Sequence, residues 1–209
     1  MSTDDLAHDG VESNARLTAT LGAVLLVALA VEGFTVLGVR DMLTLHVFVG
    51  FFVVPVVALK LVTTGYRFAH YYRRTRAYRE KGPPHPVLRV AAPLVIVSTV
   101  ALLATGIVTL AVGPSHADTW RTLHKVSFFT WFALMALHVL GHLLETWRLT
   151  KAEAIARPVL TRRGTRLSLV ALSVVVGLGL GLASTSWTDA WQHRTRHRVD
   201  AHGPPTATR

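Results

Sequence analysis

The chain has 209 residues, of which 51% are hydrophobic and 16% charged, against about 25% charged in an average soluble domain. Its apolar residues are gathered into runs of about twenty, long enough to cross a bilayer core of roughly 30 Å; this points to an integral membrane protein with no room for a separate soluble domain. The net charge of +10 sits mostly in two loops, a mark of membrane topology rather than nucleic-acid binding, and the lack of cysteine excludes disulfides, cysteine-ligated iron–sulfur clusters and covalently attached haem.

Residues 1–16 are polar and read as a disordered N-terminus. They are acidic and lack the basic segment of a signal peptide, so the first span is expected to stay as an anchor. That span covers 17–38 and carries one acid, Glu32. Glu32 reads either as an interfacial carboxylate reaching water or as a proton acceptor near a quinol site. A short link leads to the second span, 42–65, with His46 four residues inside it and Lys60 fourteen further on. Pro55 lies between them and is expected to disturb the helix. Gly50 leaves room either for a flat macrocycle or for ordinary helix packing.

The stretch 65–89 is strongly basic, holding Arg67, Arg73, Arg74, Arg76, Arg79, Lys81 and Arg89 against Glu80. It reads as a cytoplasmic loop, with Tyr66, Tyr71 and Tyr72 as an interfacial belt and His70 among them. The third span, 87–112, has no ionisable group beyond Arg89, and its interior Gly106 reads as structural. His116 falls in the next link and reads as solvated. The fourth stretch, 120–147, carries His124, His138 and His142. A second basic loop follows, with Arg148, Lys151, Arg157, Arg162, Arg163 and Arg166 against Glu153. The fifth span, 167–186, ends in GLGLGLAS, which suggests close helix packing or a lipid-facing filler helix. Trp187 and Trp191 then read as interfacial markers, and 187–209 as a disordered basic tail. With both basic loops inside, the N-terminus is cytoplasmic and the C-terminus extracytoplasmic.

The expected fold is therefore all-α: an integral membrane bundle with a four-helix core over 17–150, then a loop and a fifth helix over 151–186. Its chemistry lies in the histidines. Fourteen residues at about 100° each fall roughly 40° short of four turns and climb about 21 Å. His124 and His138 therefore share one helix face at two depths. Spans two and four run in the same direction, so His46 and His124 lie at similar depth, and Lys60 lies level with His138. Two imidazoles at equal depth on parallel helices are what a haem iron requires, and a second haem would use His138 with Lys60; His142, one turn beyond, could replace His138 or hydrogen-bond a propionate or quinone. Lysine could ligate iron only as the neutral amine; otherwise Lys60 snorkels or meets a haem propionate. Arg67, Arg73, Arg74 and Lys125 are candidates to neutralise propionates, or to contact lipid phosphates.

Around LHVFVGF (His46), LHKVSFFTWF (His124) and ALHVLGHLLE (His138), the chain resembles the bacterial transmembrane b-type cytochromes that serve hydrogenases, formate dehydrogenases and related oxidoreductases. The resemblance covers 17–150. It implies one or two non-covalent b haems, two favoured, that carry electrons between the quinone pool and a partner subunit in the bacterial cytoplasmic membrane. It allows a bound quinone and makes the chain an electron-transfer subunit rather than a self-contained enzyme. The departure from the family pattern is Lys60, which stands where a fourth paired histidine is expected. The sequence also admits a haem-free protein binding zinc or copper through His138 and His142, or a structural membrane subunit.

Overall fold

The computed structural model describes the backbone of residues 3–72, 86–155 and 163–201, with side chains over 10–70 apart from Glu12, over 91–141 and over 164–194. The described chain is all helical. The helices are α1 (Thr3–Leu37), α2 (Leu43–Tyr72), α3 (Pro86–Val112), α4 (Asp118–Ile155) and α5 (Arg163–Ala201). Each contains a stretch long and apolar enough to cross a membrane: Ser13–Leu37, Leu43–His70, Ala91–Val112, Asp118–Gly141 and Gly164–Arg194. This is an integral membrane protein of five spanning helices.

Two expectations of disorder are corrected. Helix α1 begins at Thr3, not at residue 17, and α5 continues through Trp187 to Ala201. Tertiary contacts hold part of the added helix at the N-terminal side. Val11 is buried, and the Asn14 Nδ2 donates to the Thr63 carbonyl of α2 at 3.1 Å. At the other end, Trp191 is not an interfacial marker. It is buried with Leu110 and Ala117, and Leu43, Val47 and Phe51 of α2 pack against them. The Arg121 guanidinium lies 5.6 Å from the centre of its ring. Trp187 is half-exposed and meets Phe51 edge-on, ring centres 5.9 Å apart. The basic segment 73–85, with Arg73, Arg74, Arg76, Arg79 and Lys81, lies outside the described residues, as do 156–162 and 202–209.

Helices α1 and α2 form one antiparallel hairpin, and α3 and α4 another. Leu17, Leu21, Leu25 and Ala28 recur every three or four residues, and so do Val49, Val53 and Val56; the two stripes make one core. Helix α5 then packs along α2 in the most extensive helix–helix contact of the described residues. It takes up the close-packing reading of GLGLGLAS. A Cβ on Gly177 would lie 2.5 Å from the Phe52 carbonyl oxygen, and one on Gly181 would lie 2.9 Å from that of Phe48. The backbones approach because both positions lack a side chain, the usual basis of helix association where lipid is as apolar as leucine. The second hairpin meets this group of three over a much smaller area. Trp131, on α4, is buried and donates its indole N–H to Thr99 Oγ1 of α3 at 3.0 Å. Large apolar side chains such as Leu26, Val27, Val97, Phe129 and Leu182 stay exposed, as lipid-facing surfaces require.

The close approach generates a paired test. Gly177→Ala should cost about 1–3 kcal/mol through overpacking and lower the thermal unfolding midpoint in detergent. Gly179→Ala, where a Cβ meets nothing within 4 Å, should leave it nearly unchanged. Equal midpoints for the two variants would remove α5 from its place on α2.

Candidate functional site

The links 38–42 and 113–117 close the two hairpins. Gly38 accepts from the amides of both Asp41 and Met42 at 3.0 Å, and Met42 accepts from His46 N at 2.8 Å. Gly113 ends α3 with φ +74°, a left-handed helix cap that glycine adopts without strain. In an antiparallel hairpin, residues at equal distances from the turn come face to face. Thr35 therefore faces His46 across the first turn, and Thr105 faces His124 across the second.

His46 Nδ1 lies 3.0 Å from Thr35 Oγ1 and 3.0 Å from Glu32 Oε1. The Thr35 hydroxyl donates its proton to the Glu32 carbonyl oxygen at 2.6 Å, so towards His46 it can only accept. His46 Nδ1 must carry the hydrogen. The second histidine follows the same logic. His124 Nδ1 lies 3.1 Å from the Leu102 carbonyl oxygen, which only accepts, and 3.2 Å from Thr105 Oγ1. Thr105 donates back to its own helix, with Ala101 O at 2.8 Å and Leu102 O at 3.0 Å. Both imidazoles are thus held as Nδ1–H tautomers, and the basic nitrogen left on each ring is Nε2. A hydrogen bond at one ring nitrogen that fixes the other as a donor atom is the usual support of a metal-ligating histidine.

The two rings meet between the hairpins. Their centres are 6.2 Å apart and their planes inclined at 75°, although the backbones of α2 and α4 hardly approach one another. Two imidazoles bound through nitrogen at about 2.0 Å on opposite sides of one metal ion hold their ring centres roughly 6.3 Å apart. The spacing fits a bis-histidine ion. Among the described residues no group of three or more His, Cys, Asp or Glu gathers as a metal site. Two protein donors fall short of a structural zinc site, which takes four.

Glu32 is a partner of His46. Its side chain and that of His46 are each 18% exposed. Oε2 is buried with no hydrogen-bond partner among the described residues. A Cβ on Gly50 would rest 3.7 Å from Glu32 Oε1, an ordinary contact. Gly106 is needed more strictly, because a Cβ there would lie 3.0 Å from His124 Cε1 and 3.4 Å from Nδ1. The glycine is the seat of the imidazole.

The inner candidates are arranged differently. The Lys60 amine donates to the Thr18 carbonyl of α1 at 3.1 Å and lies in the notch left by Gly22, where a Cβ would stand 3.0 Å from Nζ. Around it, Thr63 Oγ1 donates to the Lys60 carbonyl at 2.9 Å, and Thr18 Oγ1 lies 3.2 Å from Thr63 Oγ1. Lys60 is thus directed to α1 and not to His138, which is half-buried on α4. The His142 side chain lies outside the described residues. Arg67 and Lys125 are both exposed. His70 stacks on Tyr66, ring centres 4.0 Å apart, as expected of a histidine among interfacial tyrosines.

Sequence reading missed Thr35, Thr105 and the Leu102 carbonyl, and took Gly106 as merely structural. The signal for the two threonines was their distance from each turn, within one residue of that of the histidine opposite. Comparison with protein-family models, with curated proteins and with solved structures finds no match.

The seat of His124 is testable without any ligand. Gly106→Val would put a branched side chain where the imidazole lies, and should lower stability by about 1–3 kcal/mol in detergent unfolding. Gly33→Ala, at a position with open space around its Cβ, is the control. A Gly106→Val protein as stable as the control would mean that His124 is not held against α3.

Proposed function

We propose that this chain is a transmembrane b-type cytochrome, an electron-transfer subunit that holds one haem b between His46 and His124. The carrying observation is the pair of imidazoles at 6.2 Å, each with Nδ1 hydrogen-bonded to the neighbouring helix of its own hairpin. The haem, when bound, supplies one-electron chemistry at its iron. The protein's share is orientation, burial and charge. Thr35 and Glu32 hold His46 from α1, and Thr105 and Leu102 hold His124 from α3. Both rings are preorganised, so binding would not have to order them. Gly106 keeps bulk away from His124.

A second haem at the level of His138 has less support, since Lys60 is committed to α1. Electrons would pass between the quinone pool and a redox partner, because the sequence carries no nucleotide-binding glycine motif for its own reducing power. Both basic segments would face the cytoplasm of a bacterial cell, giving an inside N-terminus and an outside C-terminus.

The detergent-purified protein should show a reduced-minus-oxidised spectrum of b type and one haem per chain by pyridine haemochrome. His46→Ala and His124→Ala should each abolish haem retention, while His138→Ala and Lys60→Met should keep it. A colourless protein after expression with adequate haem, containing zinc instead, would sink the cytochrome reading. Two haems per chain would return His138 and Lys60 to the ligand set. For the topology, a reporter fused after Arg209 should be active only outside the cytoplasm.

A further inference from the structure

The two histidines differ in what holds them. The Nδ1–H of His124 meets only neutral acceptors among its described hydrogen bonds, the Leu102 carbonyl and the Thr105 hydroxyl. The Nδ1–H of His46 meets the Thr35 hydroxyl and also a carboxylate oxygen of Glu32. Glu32 lies in the bundle interior, with its second oxygen buried. A charge in that place is expensive in a membrane and marks function rather than packing.

We infer that Glu32 sets the reduction potential of the haem proposed between His46 and His124, acting through the Nδ1–H of His46. The inference rests on the haem reading above. Glu32 is a positioning residue: it touches the ligand and not the metal. A carboxylate accepting from Nδ1–H draws that proton towards itself and leaves more electron density on Nε2, which makes the ligand more basic. The more basic ligand, together with the added negative charge, favours the ferric over the ferrous state. Hydrogen bonding and charge of this kind are among the means by which proteins tune haem potentials. The low dielectric of the bundle interior enlarges the effect. Thr35 shares the same Nδ1 but brings no charge. Of the two histidines that would hold the haem, one would therefore be anionic in character and the other neutral, an asymmetry built into two otherwise similar hairpins.

The test is a spectroscopic redox titration of the full-length, detergent-purified holoprotein. Glu32→Gln keeps size and a hydrogen-bond acceptor but removes the charge. It should retain haem and raise the midpoint so that, at a fixed potential, the reduced-to-oxidised ratio is about tenfold higher, or about 59 mV for a one-electron couple. Thr35→Val, which spares the carboxylate, should shift the ratio less than threefold. Glu32→Asp, with its carboxylate withdrawn by one methylene, should give an intermediate rise, and it decides the matter if Glu32→Gln fails to load haem. A parent protein with one haem and Glu32 variants at the parental midpoint would overturn this inference and leave the cytochrome reading standing. A parent protein without haem would overturn both.

Discussion

Water is absent from the middle of a bilayer, so every polar group placed there must find its partner within the protein. That constraint organises this molecule. His46 and His124 each lie inside a spanning helix, and each turns its Nδ1 to the antiparallel neighbour in its own hairpin. The threonines that receive them have already given their hydroxyl protons to backbone carbonyls. Each hydrogen bond therefore has a fixed direction, and that direction fixes the tautomer. The register of each hairpin, the protonation of each imidazole and the availability of each Nε2 follow from one requirement.

The two hairpins use the same device with different surroundings. Helix α1 offers a carboxylate beside its threonine, whereas α3 offers a backbone carbonyl and a glycine seat. The rest of the bundle keeps these pairs in place. Helix α5 lies against α2 through Gly177 and Gly181, and Trp191 reaches the start of α2 and the α3–α4 turn. This is a substantial role for a helix that could have been a lipid-facing addition. It braces the helix that carries His46 and ties it to the second hairpin, whose direct contact with α2 is narrow. The contact between the hairpins is narrow, and the two imidazoles meet across it. Towards the other end of α2, Lys60 is engaged with α1 through Thr18, and Asn14 and Thr63 complete a polar cluster.

Much of this was legible from residue order. Run lengths gave five spans, because apolar length against bilayer thickness is a one-dimensional property. The matched depths of His46 and His124 were legible too, since parallel spans entered at the same end place equal offsets at equal depth. Helix ends were less legible. Residues 3–16 and 187–201 are helical, and contacts such as that of Asn14 with Thr63, or of Trp191 with α2 and α3, cannot be seen in a local window.

The sequence by itself determined a five-span helical membrane protein with two histidines at one level. Hydrophobic length and helical rise depend on the chain alone. Only the tertiary structure decided which way each polar side chain points. Lys60 has the spacing of a ligand but faces α1, because the offset of roughly 40° over fourteen residues and the Thr18 carbonyl on the adjacent helix settle its direction together. Glu32 looked like an isolated acid and became the partner of His46. Gly106 looked like packing and became the seat of His124. Direction around a helix axis is settled by neighbours, and neighbours exist only once the helices have packed.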